Sequence, residues 1–167
     1  MVARASPLIA ALVAAFAFAA ATHDSARGFV TNGYPYASQC PGAGKRDVVD
    51  RWKMNACNCT SYVAWALRAN GYRIGWFIPG SMDAWNWPHV ARLSRIPVGS
   101  APRPGSVAVW PRLARPFGHV AFVTAVHGDG TFDVAEYNLP GRPPYSFDRR
   151  TDVSPRGATF VYVPRRA

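Results

Sequence analysis

The stretch from His119 to Tyr137 sets the tightest limit on what this chain can fold into. His119-Val120-Ala121-Phe122-Val123-Thr124-Ala125-Val126 is apolar and rich in strand formers. Gly128-Asp129-Gly130 then marks a tight turn, and Thr131 to Tyr137 returns. That pattern specifies an antiparallel hairpin. Ser106 to Trp110 ahead of it and Thr159 to Val163 behind it read as further strands, and Pro164 stops the last. The residues before Gly105 carry a different period. Tyr62, Val63, Ala66 and Leu67 fall at i, i+1, i+4 and i+5, one stripe of a helix, and Asn70-Gly71 ends it. Helices first and an antiparallel sheet after them make an α+β fold.

The remaining segments are punctuated by turn formers. Residues 22–47 are rich in Gly, Ser, Pro and Ala without a period and form an irregular entry segment. Val48 to Met54 reads as a short helical turn. Ser81 caps a short helix from Met82 to Leu93, with Asp83 in its first turn and Pro88 interrupting it or ending it early. Residues 94–104, 111–118 and 138–144 are loops.

A cysteine opens the first helix. Asn58 stands at the N-cap position, and Cys59 follows in the first turn. A thiol there lies beside unpaired backbone N–H groups and the positive end of the helix dipole, which both favour the nucleophilic thiolate. A lone helical cysteine is more often a packing residue, so the downstream residues decide the reading. If the hairpin turn has two or four residues, odd positions on its first strand share a face with even positions on its second. His119 then shares a face with Glu136 and Asn138, and a helix packed on that face brings Cys59 to the imidazole. A three-residue loop puts His119 on the opposite face. In the first case the residues form a nucleophile, a base and an orienting group. Cys59 attacks a carbonyl carbon, His119 holds the thiolate and protonates the leaving amine, and Glu136 or Asn138 fixes the ring. The backbone N–H of Cys59 is a natural oxyanion donor. Singly, each residue has a plain structural explanation: a satisfied core histidine, an edge charge, a turn former. Together with a helix-start cysteine they point to catalysis.

Charge and cysteine usage place the chain. Residues 1–21 have the form of a secretory signal peptide, with Arg4, an apolar run from Leu8 to Ala21 and a small-residue end at Ala19-Ala20-Ala21. That run is short for a membrane anchor, which needs about 20 apolar residues. The expected location is secreted or periplasmic. Losing the leader removes only Arg4 and leaves 18 basic residues against 9 acidic, a net +9. Outside a cell such a charge suits anionic envelope polymers. The arginines form no run denser than a pair, so nucleic acid is not an expected partner. Of three cysteines, Cys57 and Cys59 are too close to pair easily, which leaves Cys40–Cys57 as the bridge and Cys59 as the free thiol. The competing zinc reading lacks the paired-knuckle spacing.

At these residues the chain resembles the CHAP family, the cysteine- and histidine-dependent amidohydrolases/peptidases, a branch of the papain-like fold. The resemblance runs over about residues 50–163. It is carried by Cys59-Thr60-Ser61-Tyr62-Val63-Ala64-Trp65, Gly80-Ser81-Met82-Asp83-Ala84-Trp85, Pro104-Gly105-Ser106-Val107-Ala108-Val109-Trp110, Gly118-His119-Val120-Ala121-Phe122-Val123 and Glu136-Tyr137-Asn138, in the family's order. It implies a catalytic domain over residues 48–167, with Cys59 as nucleophile, His119 as base, Glu136 as orienting group and Asn138 as a second polar member. It also implies peptidoglycan as substrate, cut at the sugar-to-alanine amide or within the peptides, by a monomer without cofactor. Two departures stand out. Asn58 occupies the oxyanion position where many members have Gln. The Asp-x-Asp loop that binds calcium in some members is missing, so no metal is expected. A non-catalytic wall-binding module would have lost one of these groups, and all are retained here. An exported antibacterial toxin would share the chemistry.

Overall fold

The computed structural model describes residues 28–40, 48–75 and 83–167. The leader at residues 1–21 and the start of the predicted helix at Ser81-Met82 lie outside the described residues. The first helix, α1, spans Cys59–Ala69. It closes as the sequence implies: Asn70 is the cap, Gly71 takes φ +79°, Tyr72 N–H donates to the Leu67 carbonyl and Gly71 N–H to that of Arg68. Asn70 also bonds both backbone groups of Val30 through its side chain. A 3-10 turn at Ala84–Asn86 leads into α2, Trp87–Leu93. Pro88 sits in the first turn of α2, where its missing N–H has no intrahelical partner to lose, so it starts this helix rather than breaking one. The predicted helical turn at Val48 to Met54 is instead a loop closed by a Val49–Asn55 bridge. The buried Asp50 carboxylate holds it from within, accepting from the N–H groups of Trp52 and Met54.

Six strands follow: β1 Val98–Gly99, β2 Val107–Trp110, β3 His119–Val126, β4 Phe132–Tyr137, β5 Phe147–Val153 and β6 Thr159–Val161. They make one sheet in the order β1-β6-β2-β3-β4-β5, with every neighbouring pair antiparallel. The architecture is α+β, as expected. Two strands are unforeseen. β1 lies within the proline-rich 94–104 stretch, and β5 is a charged edge strand.

The core lies between α1 and one face of the sheet. Tyr62, Val63, Ala66 and Leu67 pack with Val107, Val109, Val120, Phe122, Ala135 and Tyr137. The entry segment closes the other side of α1. Tyr34 is 4% exposed and bonds Ser61 and the Cys57 N–H through its hydroxyl, while Tyr62 donates to the Thr31 carbonyl. The Cys40–Cys57 disulfide ties that segment to the residue two before α1. The opposite face of the sheet carries a smaller cluster of Ala108, Ala121, Val123, Phe132, Val134 and Phe160.

Candidate active site

The turn between β3 and β4 has three residues, Gly128 to Gly130, closed by His127 N–H donating to the Thr131 carbonyl and Gly130 N–H donating to the His127 carbonyl. Such a loop alone would set His119 and Glu136 on opposite faces. A bulge restores them. The pairing runs Val126↔Phe132 and Ala125↔Asp133 near the turn, then Val123↔Val134 and Phe122↔Ala135, so β3 holds one extra residue at Thr124. His119 and Glu136 therefore share a face, and they meet: His119 Nε2 lies 2.6 Å from Glu136 Oε2. That face is the one turned away from the apolar stripe of α1, a difference from the sequence expectation. Contact with Cys59 is made at the rim instead. His119 is the first residue of β3, Cys59 is the first of α1, and the two are hydrogen-bonded. With Nε2 taken by Glu136, Nδ1 is the ring atom left for Cys59.

Gly118 makes that rim possible. Its φ is +75°, and a Cβ there would stand 2.6 Å from the Trp85 backbone nitrogen, which donates to the Phe117 carbonyl. The 83–86 turn thus lies directly on the residue before His119.

The electrostatics belong to a buried pair. His119 is 1% and Glu136 0% exposed. Burial works against the imidazolium, but the hydrogen bonds to Cys59 and Glu136 and their charges outweigh it, and the imidazole is pushed up to about 9. Burial likewise works to raise the Glu136 carboxyl, yet the bonds and charges of His119 and Arg150 hold it below the usual carboxylate range. Arg150 is the partner the sequence reading missed. Its Nε donates to Glu136 Oε1 at 2.5 Å and its Nη2 to Oε2 at 3.1 Å, and its guanidinium covers the Trp110 ring at 5.0 Å. It lies on β5, whose mixed charges gave no strand signal.

Asn138 ends β4 with φ +54° and takes a different place from Glu136. Tyr145 N–H donates to Asn138 Oδ1 at 3.0 Å, and Asn138 Nδ2 donates to Asn58 Oδ1 at 2.7 Å. A backbone N–H can only donate, so it fixes which way the Asn138 amide points, and Asn138 in turn fixes Asn58. Among the described residues no acceptor takes the Asn58 Nδ2 donors, and Asn58 lines the cavity. Asn58 sits at the N-cap with extended backbone and a carbonyl bonded to Tyr62 N–H, but its side chain makes no cap bond. The cavity measures about 350 Å³ and is lined by Cys59, His119, Asn58, Asn138, Asp83 and Phe117 among others. The free thiol of the described residues is Cys59.

One cluster could accept a cation. His127, Asp133 and Asp152 bring their ligand atoms within 4.8 Å of one another, and His127 Nε2 is already bonded to Asp133 at 2.8 Å. It stands beside the hairpin turn, the length of β3 (about 23 Å at strand rise) from His119, and takes no part in the cavity.

Three likenesses bear on this geometry. A probable autolysin, LDP, from Staphylococcus aureus is 33% identical over 98 residues, covering 58% of this chain and 33% of the autolysin. The crystal structure of N-acetylmuramoyl-L-alanine amidase from Staphylococcus aureus shares the fold at a TM-score of 0.57 and 24% identity, over 66% of this chain and 31% of that one. The chain thus spans about a third of the length of these relatives. The model of the CHAP domain family matches residues 49–138, which run from the Val49–Asn55 loop through Cys59, His119 and Glu136 to Asn138. With more than half of its residues inside that match, the chain belongs to the CHAP domain family.

Proposed function

We propose that this protein hydrolyses amide bonds of peptidoglycan with Cys59 as nucleophile. The observation that carries this reading is a single buried histidine bonded on one side to a helix-start thiol and on the other to an ionised carboxylate. Cys59 Sγ attacks the amide carbonyl carbon as a thiolate paired with the His119 imidazolium. The tetrahedral oxyanion takes donors from the Cys59 backbone N–H, which begins a helix and has no intrahelical acceptor, and from Asn58 Nδ2. His119 passes its Nδ1 proton to the amine as the C–N bond breaks, leaving a thioester. Water then attacks that thioester and His119 takes one of its protons; the C–S bond breaks to regenerate the thiolate, and the carboxylic acid product gives its remaining proton to solvent as it leaves. Glu136 holds the ring through Nε2 throughout, and Arg150 keeps Glu136 ionised.

The names of the two relatives support peptidoglycan as the substrate. The Cys40–Cys57 bridge supports an oxidising compartment and hence export through residues 1–21. The test is mass spectrometry of muropeptides after digestion of purified sacculi. Wild-type protein is expected to release new amines and carboxylates at one class of amide, and Cys59→Ala to release none. The masses identify whether the bond lies next to the sugar or within the peptide. Equal product from both proteins would remove Cys59 from the chemistry.

A further inference from the structure

The cavity that holds Cys59 and His119 is lined differently from the rest of the cationic surface. The chain carries 19 Lys and Arg against 9 Asp and Glu, yet among the described residues no Lys or Arg lines the cavity that holds Cys59 and His119. Among the described residues the carboxylate that lines it is Asp83. That side chain is exposed, caps no helix and has no hydrogen-bond or ion-pair partner among the described residues. Besides the His119 imidazolium and the Cys59 it is bonded to, the polar lining groups Asn55, Asn58, Thr60, Asn138 and Tyr145 are neutral.

The turn that carries Asp83 is tied to the loop that leads into the strand bearing the base. Asn86 N–H donates to the Asp83 carbonyl, Ala84 beside it is buried, and Trp85 N–H is bonded to Phe117 two residues before His119. Gly118 admits this contact because it has no Cβ. A carboxylate is thereby carried on the wall of the cavity that holds the nucleophile, on a turn hydrogen-bonded to the segment leading into His119.

We propose that Asp83 determines specificity by accepting a primary ammonium on the residue beside the scissile amide, so that the favoured substrate is a stem peptide with a free diamino-acid side chain. This rests on the peptidoglycan reading above and adds a substrate class to it. The physical argument is complementarity. A cationic protein draws in an anionic polymer, whose carboxylates would otherwise compete for the cleft. A lone carboxylate in the cleft repels them and accepts the one positive group such peptides carry. Asp83 lies in a stretch that contacts solvent, so the discrimination is modest, on the order of fivefold.

The experiment compares two muropeptides that differ only in whether the diamino acid's side-chain amine is free or acetylated. Initial rates of each are measured with wild type and with Asp83→Asn, and melting temperatures check that both proteins are folded. Wild type is expected to favour the free amine by about fivefold in kcat/KM, and Asp83→Asn to bring that ratio close to one. Asp83→Glu, which keeps the charge, is expected to restore a preference for the free amine. The proposal is overturned if wild type cuts both equally, or if Asp83→Asn lowers both rates and keeps the ratio, which would make Asp83 only a structural residue. If wild type cuts neither muropeptide nor intact sacculi, the peptidoglycan reading itself fails and this proposal with it.

Discussion

His119 holds a proton in a place where burial alone would remove it. Its folded value of about 9 is above the ordinary 6.5, so the charged form contributes stability. That contribution is complete below about 6.5 and is lost as pH rises through about 9. The melting temperature is therefore expected to fall across this alkaline window. In Cys59→Ala one of the two groups raising the imidazole is gone, so the fall moves to lower pH. Coincident profiles for the two proteins would mean that Cys59 does not help hold the proton. A second contrast separates the two residues of the Glu-x-Asn block. Glu136 bonds the ring, whereas Asn138 bonds Asn58 and Tyr145. Only a carboxylate stabilises the imidazolium, so Glu136→Gln is expected to lower turnover about tenfold more than Asn138→Ala, or on the order of 1.4 kcal/mol of barrier. Rates on one defined muropeptide, with melting curves alongside, decide it. The reverse order would make the amide chain through Asn58 the more important part.

At the scale of elements, the site depends on places where strands and helices end. α1 begins at Cys59, β3 begins at His119, and Gly118 lets the 83–86 turn close over that start. Gly118→Ala is expected to destabilise the protein by about 1–2 kcal/mol for the left-handed backbone alone. Displacement of Trp85 should add to that, and the rate should fall because the cleft wall moves. Equal stability and rate in this variant, by thermal melting and muropeptide turnover, would show that the rim is pliable. The ends of elements were also where the sequence was most and least informative. Asn70-Gly71 and the strands of the hairpin were legible from Gly conformation and strand period, and the Cys40–Cys57 pairing from an odd cysteine count together with the closeness of Cys57 to Cys59. The bulge at Thr124 was not legible, since an extra residue in an unbroken apolar run leaves the composition unchanged. β5 was hidden for another reason. Phe147-Asp148-Arg149-Arg150-Thr151-Asp152-Val153 forms the sheet edge, so charges occupy a strand that no apolar pattern announces. Arg150 was lost with it, a partner of Glu136 that lies outside the residues 49–138 of the family match.

For the whole molecule the decisive quantity is charge, and it acts at a distance that the cleft does not. The chain carries a net +10. Among the described residues, the arginine–carboxylate pairs are Arg142–Asp148 and Arg150–Glu136, so most arginines have no carboxylate partner. A surface of this kind raises the rate of encounter with an anionic polymer. Salt removes that gain beyond a Debye length of about 8 Å at physiological strength. The buried pair of the proposed active site is protected from this. His119 and Glu136 are buried at 2.6 Å, far inside the screening length. Capture and catalysis should therefore separate when salt is varied. Lysis of intact walls is expected to fall steeply between low and high salt. Turnover of a small muropeptide with its amine acetylated, which offers neither a long polyanion nor an ammonium to Asp83, is expected to change little over the same range. The measurement is a pair of salt titrations on one protein preparation, with turbidity for walls and product mass for the muropeptide. If the two fall in parallel, charge is not a capture device. The salt-sensitive step would then lie inside the site, in a His119–Glu136–Arg150 network more open to solvent than its burial indicates.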